Sequence, residues 1–152
     1  MFNRTHVAIG LAALILAGFA TRAAAQGRVV EITGNDQMKF NVTSITAKPG
    51  ETLTVKLTNV GKLPKAVMGH NFVLLVKGAD ASAFATAAAT ARETEYIPPA
   101  EKGKILAATK LVGPGETAEV TFKVPTAPGQ YEYLCSFPGH YLAGMKGVLV
   151  VK

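Results

Sequence analysis

The chain has one cysteine, no tryptophan and only three histidines. A single cysteine excludes an internal disulfide, so no covalent staple supports the fold. One of the histidines, His6, falls in the N-terminal leader, which leaves His70 and His140. Two imidazoles are too few for a multicopper oxidase centre. Charged residues are sparse, at 17%, and scattered. Basic blocks with interleaved aromatics are absent, which excludes a nucleic-acid groove. No apolar run reaches the roughly 20 residues that a membrane-spanning helix needs.

The longest apolar run, Val7 to Ala20, is about 14 residues and follows Arg4. Ala23-Ala24-Ala25 supplies small residues behind it. Positive start, short apolar stretch and small-residue cleavage site are the parts of an export signal. Residues 1–25 are therefore read as a cleavable signal peptide, with an uncleaved anchor helix as the alternative, and 26–152 as one domain in the periplasm. Setting aside Arg4 and Arg22, the remaining Lys and Arg exceed Asp and Glu by about 4. A mild positive balance biases encounters towards acidic partners.

Beyond the leader the pattern is one of short strands. Leu53, Val55 and Leu57 alternate with Thr52, Thr54, Lys56 and Thr58, and Ala118, Val120, Phe122 and Val124 alternate likewise. Period two marks a half-buried strand. Val29–Ile32, the alternating stretch through Met38, Phe40 and Val42, Phe72–Val76, Ile105–Val112, Tyr131–Cys135 and Val148–Val151 complete the expected strands. Turn signals punctuate them at Lys48–Glu51, Gly113–Glu116 and Pro125–Gly129. "NVGKLPKAVMGHN", Asn59 to Asn71, reads as a loop. Ala79–Ala91 is rich in alanine, the best helix former, with Asp80 placed to cap it; a flexible flap is the other reading. The expectation is an all-β protein, a Greek-key β-sandwich or small barrel with one short inserted helix.

The chemistry concentrates at the C-terminal end. Cys135, His140 and Met145 follow the pattern C-x4-H-x4-M. A thiolate, an imidazole and a thioether on one tight loop form a donor set that suits copper. Pro138 with Gly139, and Gly144, allow the sharp turns such a loop requires. His70 would complete a trigonal His2Cys set with Met145 as a long axial donor. Taken singly, each residue has an ordinary explanation: a buried cysteine is usually an inert small hydrophobe, and methionine usually fills a core. The combination carries the argument. An unpaired exported cysteine also needs protection from oxidation, which burial against a metal provides.

These residues lead to a family. "GNDQMKFN" at Gly34–Asn41, "GKLPKAVMGHNFVL" at Gly61–Leu74, "TKLVGPGE" at Thr109–Glu116, "CSFPGH" from Cys135 and "MKG" at Met145–Gly147 resemble azurin, a bacterial blue-copper protein of the cupredoxin class. The resemblance implies a cupredoxin-like fold around one mononuclear type 1 copper. It implies His70, Cys135 and His140 as equatorial ligands, Met145 as a weak axial ligand and the Gly69 carbonyl opposite it. Asn71 resembles the residue that ties the two ligand loops together, and Phe137 a neighbour of the cysteine sulfur. There are departures. "HYLAGMKG" has one residue more between histidine and methionine than azurin, closer to plastocyanin. The family's N-terminal disulfide is impossible here, and Phe72 stands where a tryptophan is usual. A disulfide typically contributes about 2–4 kcal/mol, so stability should lean more on the bound metal.

The expected function is a monomeric, non-enzymatic carrier of single electrons, with His140 as the electron port. Met68, Gly69, Pro138, Gly139 and Leu142 form the expected apolar rim around it. By resemblance, its partners are c-type cytochromes and periplasmic reductases or dehydrogenases. The alternative is copper storage or delivery without electron transfer. A thiol–imidazole nucleophile pair is disfavoured, because no helix N-terminus lies beside Cys135 to activate the thiol.

Overall fold

The computed structural model describes residues 27–152; the signal peptide expected over residues 1–25, with cleavage before Gln26, lies outside the described residues. In chain order the elements are β1 (Arg28–Gly34), β2 (Ser44–Ala47), β3 (Thr52–Asn59), a one-turn helix α1 (Lys65–Met68), β4 (Val73–Leu75), α2 (Ala81–Ala88), β5 (Ile105–Ala108), β6 (Thr117–Lys123), β7 (Gly129–Leu134) and β8 (Lys146–Val151). Two 3-10 turns, Arg92–Thr94 and Pro99–Lys104, join α2 to β5.

The strands form two sheets, ordered β1-β3-β6 and β2-β8-β7-β4-β5. β1 runs parallel to β3 and β2 parallel to β8, while the remaining pairs are antiparallel. The arrangement is a Greek-key sandwich, as the strand pattern implies, of the cupredoxin-like kind that the resemblance implies. Its core lies between the sheets. Leu53, Val55 and Leu57 are completely buried, the inward half of the alternation read from β3. Tyr131, Tyr133, Leu149 and Val151 meet them from β7 and β8.

The inserted helix forms, shorter than its alanine-rich stretch. Asp80 caps it as expected, its carboxylate accepting a hydrogen bond from the Ala83 N–H at 2.9 Å. Phe84 and Ala88 bury its inner face. Elsewhere the local reading needs correction. Met38–Val42 is not a strand. The Asn35 side chain accepts from the N–H groups of Gln37 and Lys39, and Met38 takes a left-handed φ of 55°. This Asx-type turn overrides the alternation and leaves a single bridge from Gly34 to Phe40. The strand that follows, β2, has too weak a pattern to stand out in the sequence. The stretch Asn59–Asn71 is a loop interrupted by α1, and the strand expected over Ile105–Val112 ends at Ala108.

One glycine fixes how β7 and β8 fit. Tyr133 lies fully buried, and its hydroxyl donates to the Val42 carbonyl at 2.8 Å. Its phenol crosses Gly147 so closely that a β-carbon there would strike the Tyr133 hydroxyl and approach the Thr43 carbonyl oxygen to 2.6 Å. Gly147→Ala should therefore destabilise the protein by about 1–3 kcal/mol through overpacking, read as a lower urea midpoint. Adding Tyr133→Phe should recover little of the loss, because the ring carbon Cζ and the Thr43 carbonyl still meet the added β-carbon.

Candidate metal centre

The site is assembled from two separate stretches at one end of the sandwich. β7 delivers Cys135 just past its last residue. Antiparallel pairing of β7 with β8 sets Leu134 opposite Lys146, so the intervening loop must return on itself. It does so through Gly139 (φ 83°) and Gly144 (φ 93°), conformations costly for residues with a β-carbon. The return is fastened by backbone hydrogen bonds: Cys135 N–H to the Met145 carbonyl (3.0 Å), Met145 N–H to the His140 carbonyl (2.9 Å) and His140 N–H to the Phe137 carbonyl (3.1 Å). Lys39 adds a side-chain tie from its ammonium to the Ala143 carbonyl.

His70 arrives by another route. After α1, the chain makes a two-way backbone bridge with Val112, His70 N–H to O at 3.0 Å and the reverse at 2.8 Å. Asn59, buried, supports the preceding loop: its amide donates to the carbonyls of Met68 and Val112. Asn71 then links the two ligand-bearing regions. Its side-chain carbonyl accepts from the Ser136 N–H at 2.8 Å, and its amide donates to the Ser136 hydroxyl at 2.8 Å. The role suggested for Asn71 by resemblance thus has a physical form.

These supports bring the predicted donors together. Cys135 Sγ lies 3.3 Å from His140 Nδ1 and 4.0 Å from His70 Nδ1, and the two Nδ1 atoms are 3.3 Å apart. All three residues are buried, and theirs is the one such cluster among the described residues. Each edge of the triangle is shorter than the sum of its two flanking metal bonds, about 2.0 Å to nitrogen and about 2.3 Å to sulfur. One ion can therefore touch all three. Met145 is completely buried, and its Cε and the His70 ring crowd Gly34. A β-carbon there would come within 2.7 Å of Met145 Cε and 2.8 Å of His70 Cδ2. Gly69 is buried in extended backbone against Leu111, directly before His70.

The environment is dry. Burial pushes the Cys135 thiol up to about 12, opposed by the N–H groups of Asn71 and Phe137. Burial, and then the neighbouring His70, bring the His140 imidazole down to about 4. Burial also lowers His70, against the Asn35 carbonyl and the Asp36 carboxylate. Without metal the pocket thus favours three uncharged donors. This opposes the thiol-nucleophile reading: Cys135 has no exposed surface, and an activated cysteine requires a depressed pKa and access.

The sequence pattern named His70, Cys135 and His140, which meet here, but did not mark Asn59 and Gly34, which pack and bond against their stretches. Gly34 and Asn59 open the stretches "GND" and "NVG", where a turn residue gives no hint of a distant contact.

The comparisons with known proteins agree with this geometry. Residues 27–152 match the family described as copper binding proteins, plastocyanin/azurin family. Azurin from Pseudomonas chlororaphis is 46% identical over 127 residues, covering 81% of this chain and 97% of that protein. Azurin from Pseudomonas aeruginosa is 42% identical over 126 residues, covering 81% and 97%. Among solved structures, dithionite-reduced auracyanin from Roseiflexus castenholzii superposes with a TM-score of 0.72 at 34% identity, covering 82% of this chain and 96% of that one. The fold and the buried His/Cys cluster, which matches a mononuclear type 1 copper site, define a blue-copper protein. The chain belongs to the plastocyanin/azurin family. It is an electron-transfer protein rather than an enzyme, and kinship with azurins supports a periplasmic location.

The buried imidazoles also predict acid sensitivity of the metal-free protein. The folded-state value of His140 is depressed, so its contribution to stability is full above about 6.5 and is lost as pH falls to about 4, because the unfolded chain takes up the proton first. Denaturant midpoints of metal-free protein should fall across this window, with a shallower slope in His140→Gln. Equal slopes in the two proteins would contradict the assignment.

Proposed function

We propose that His70, Cys135 and His140 would hold copper, with the Met145 thioether and the Gly69 carbonyl as further, weaker donors, and that the site carries single electrons between periplasmic proteins. The observation that carries this reading is the three-donor triangle, sealed from water and tied down by backbone hydrogen bonds on every side. Bound copper supplies a one-electron couple. The chain's contribution is to hold the donors still. His140 is tethered at both its N–H and its carbonyl, and Asn71 clamps the His70 stretch to Ser136, next to Cys135. A framework that cannot relax suits an ion whose oxidation state alternates, since little rearranges with the electron.

His140 lies nearest the loop surface and is the proposed electron port. Around it, Gly139 and Leu142 are exposed, Leu142 at 84%. Small and apolar residues there suit the brief, weak docking of redox encounters. The proposed partners are c-type cytochromes and periplasmic reductases or dehydrogenases, met by a monomer. Among the described residues no helix is long and apolar enough to cross a membrane. The leader motif supports export, with cleavage before Gln26. Storage or delivery of copper would need easy release, and the closed, multiply tethered pocket favours retention.

Loaded with Cu(II), the protein should absorb intensely in the visible through thiolate-to-copper charge transfer, and Cys135→Ser should abolish the band. A colourless wild-type copper protein overturns the reading. Met145→Leu should retain copper and raise the reduction potential, since it removes a donor that favours Cu(II). His140→Gly should lose the native spectrum and recover a coloured site with external imidazole. Rapid surrender of Cu(I) to a modest chelator would instead favour delivery.

A further inference from the structure

Directly after the inserted helix and its 3-10 turn, two consecutive non-glycine residues adopt left-handed backbone: Glu95 at φ 54° and Tyr96 at φ 63°. For a bulky aromatic this is a true outlier. Glycine or asparagine would occupy these positions at less cost, and such strain persists only where the surroundings over-determine it. Here they do. The Tyr96 N–H donates to the Ala91 carbonyl at 2.8 Å, the Glu95 N–H to the Arg92 carbonyl at 3.0 Å, and the Thr94 hydroxyl reaches the Ile97 carbonyl at 2.7 Å.

The corner touches every donor-bearing stretch. The Glu95 carbonyl accepts from the Asn71 amide at 3.3 Å, the same amide that donates to Ser136 beside Cys135. The Glu95 carboxylate accepts from the Leu111 N–H at 3.1 Å, one residue before the Val112 bridge to His70. Its other oxygen lies 3.9 Å from the Lys65 ammonium, on the helix that leads into His70. Tyr96, buried, stands edge-on to Phe137 with centroids 4.8 Å apart, and Phe137 in turn lies against the His140 ring at 4.7 Å. None of these groups is within the donor triangle itself.

We infer that the Glu95–Tyr96 corner is a positioning element of the metal centre. Glu95 fixes the His70 and Cys135 sides through Asn71 and Leu111, and Tyr96 fixes the His140 ring through Phe137. The strained backbone is what lets two adjacent residues face these separate targets. Its effect should be on how little the donors move with the electron, beyond any effect on folding. The inference rests on the copper reading above.

The test uses the full copper-loaded protein in two pairs of variants, Tyr96→Ala with Tyr96→Phe and Glu95→Ala with Glu95→Gln. Reduction potential, the charge-transfer band and electron self-exchange are the readouts, alongside the thermal midpoint. Tyr96→Ala should shift the potential and the band and slow self-exchange severalfold, and Tyr96→Phe, which keeps the ring, should behave as wild type. Glu95→Ala should shift the same quantities, and Glu95→Gln, which keeps an acceptor for Leu111, should restore them. Alanine variants with a lowered thermal midpoint but unchanged potential, band and self-exchange would overturn the inference, leaving the corner a structural turn. Where Tyr96→Ala does not fold, the Glu95 pair decides alone by the same criterion. A colourless wild type would be a failure of the copper reading, and is distinct from an unresponsive variant of a coloured protein.

Discussion

The metal centre depends on the join between two stretches of chain that have no local reason to meet. Asn71 makes that join: one side-chain amide, entirely buried, exchanges hydrogen bonds with the backbone and hydroxyl of Ser136. Each residue stands next to a proposed ligand, His70 on one side and Cys135 on the other. Hydrogen bonds in a dry interior are strong when complete and expensive when broken. The fully satisfied pair therefore fixes the distance between an imidazole and a thiol more firmly than packing alone could.

The same dryness shapes the electrostatics. Water is excluded from the donors, and the burial that raises the thiol also lowers the imidazoles. Both shifts oppose charge in an empty pocket, so a metal cation is the natural compensation for a thiolate held there. Binding then exchanges a proton for a metal ion, and metal affinity becomes coupled to pH. In this site, stability and ligation are two views of one desolvation cost.

Much of this was legible in the sequence because the relevant signals are local. The alternation of β3 and β6, the capping aspartate of α2 and the C-x4-H-x4-M loop each express themselves within a few residues. Their structural counterparts follow directly: a buried face, an Asp80 cap and a closed ligand loop. One failure was also local in origin. The alternating apolar residues at Met38, Phe40 and Val42 promised a strand, yet the preceding Asn35 side chain turned the backbone instead. β2 was passed over because its pairing with β8 comes from the far end of the chain. Glu95 left no trace, because a rare φ and partners distant in the chain, Asn71 and Leu111, decide its contacts, and residue type encodes neither.

The donors reach one another only through two segments far apart in the sequence: the approach to β4, with His70, and the loop from the end of β7 into β8, with Cys135 and His140. Neither of these can present a finished cage while the polypeptide is still extended. The complete three-donor cage is therefore available to an ion only after the sandwich has closed.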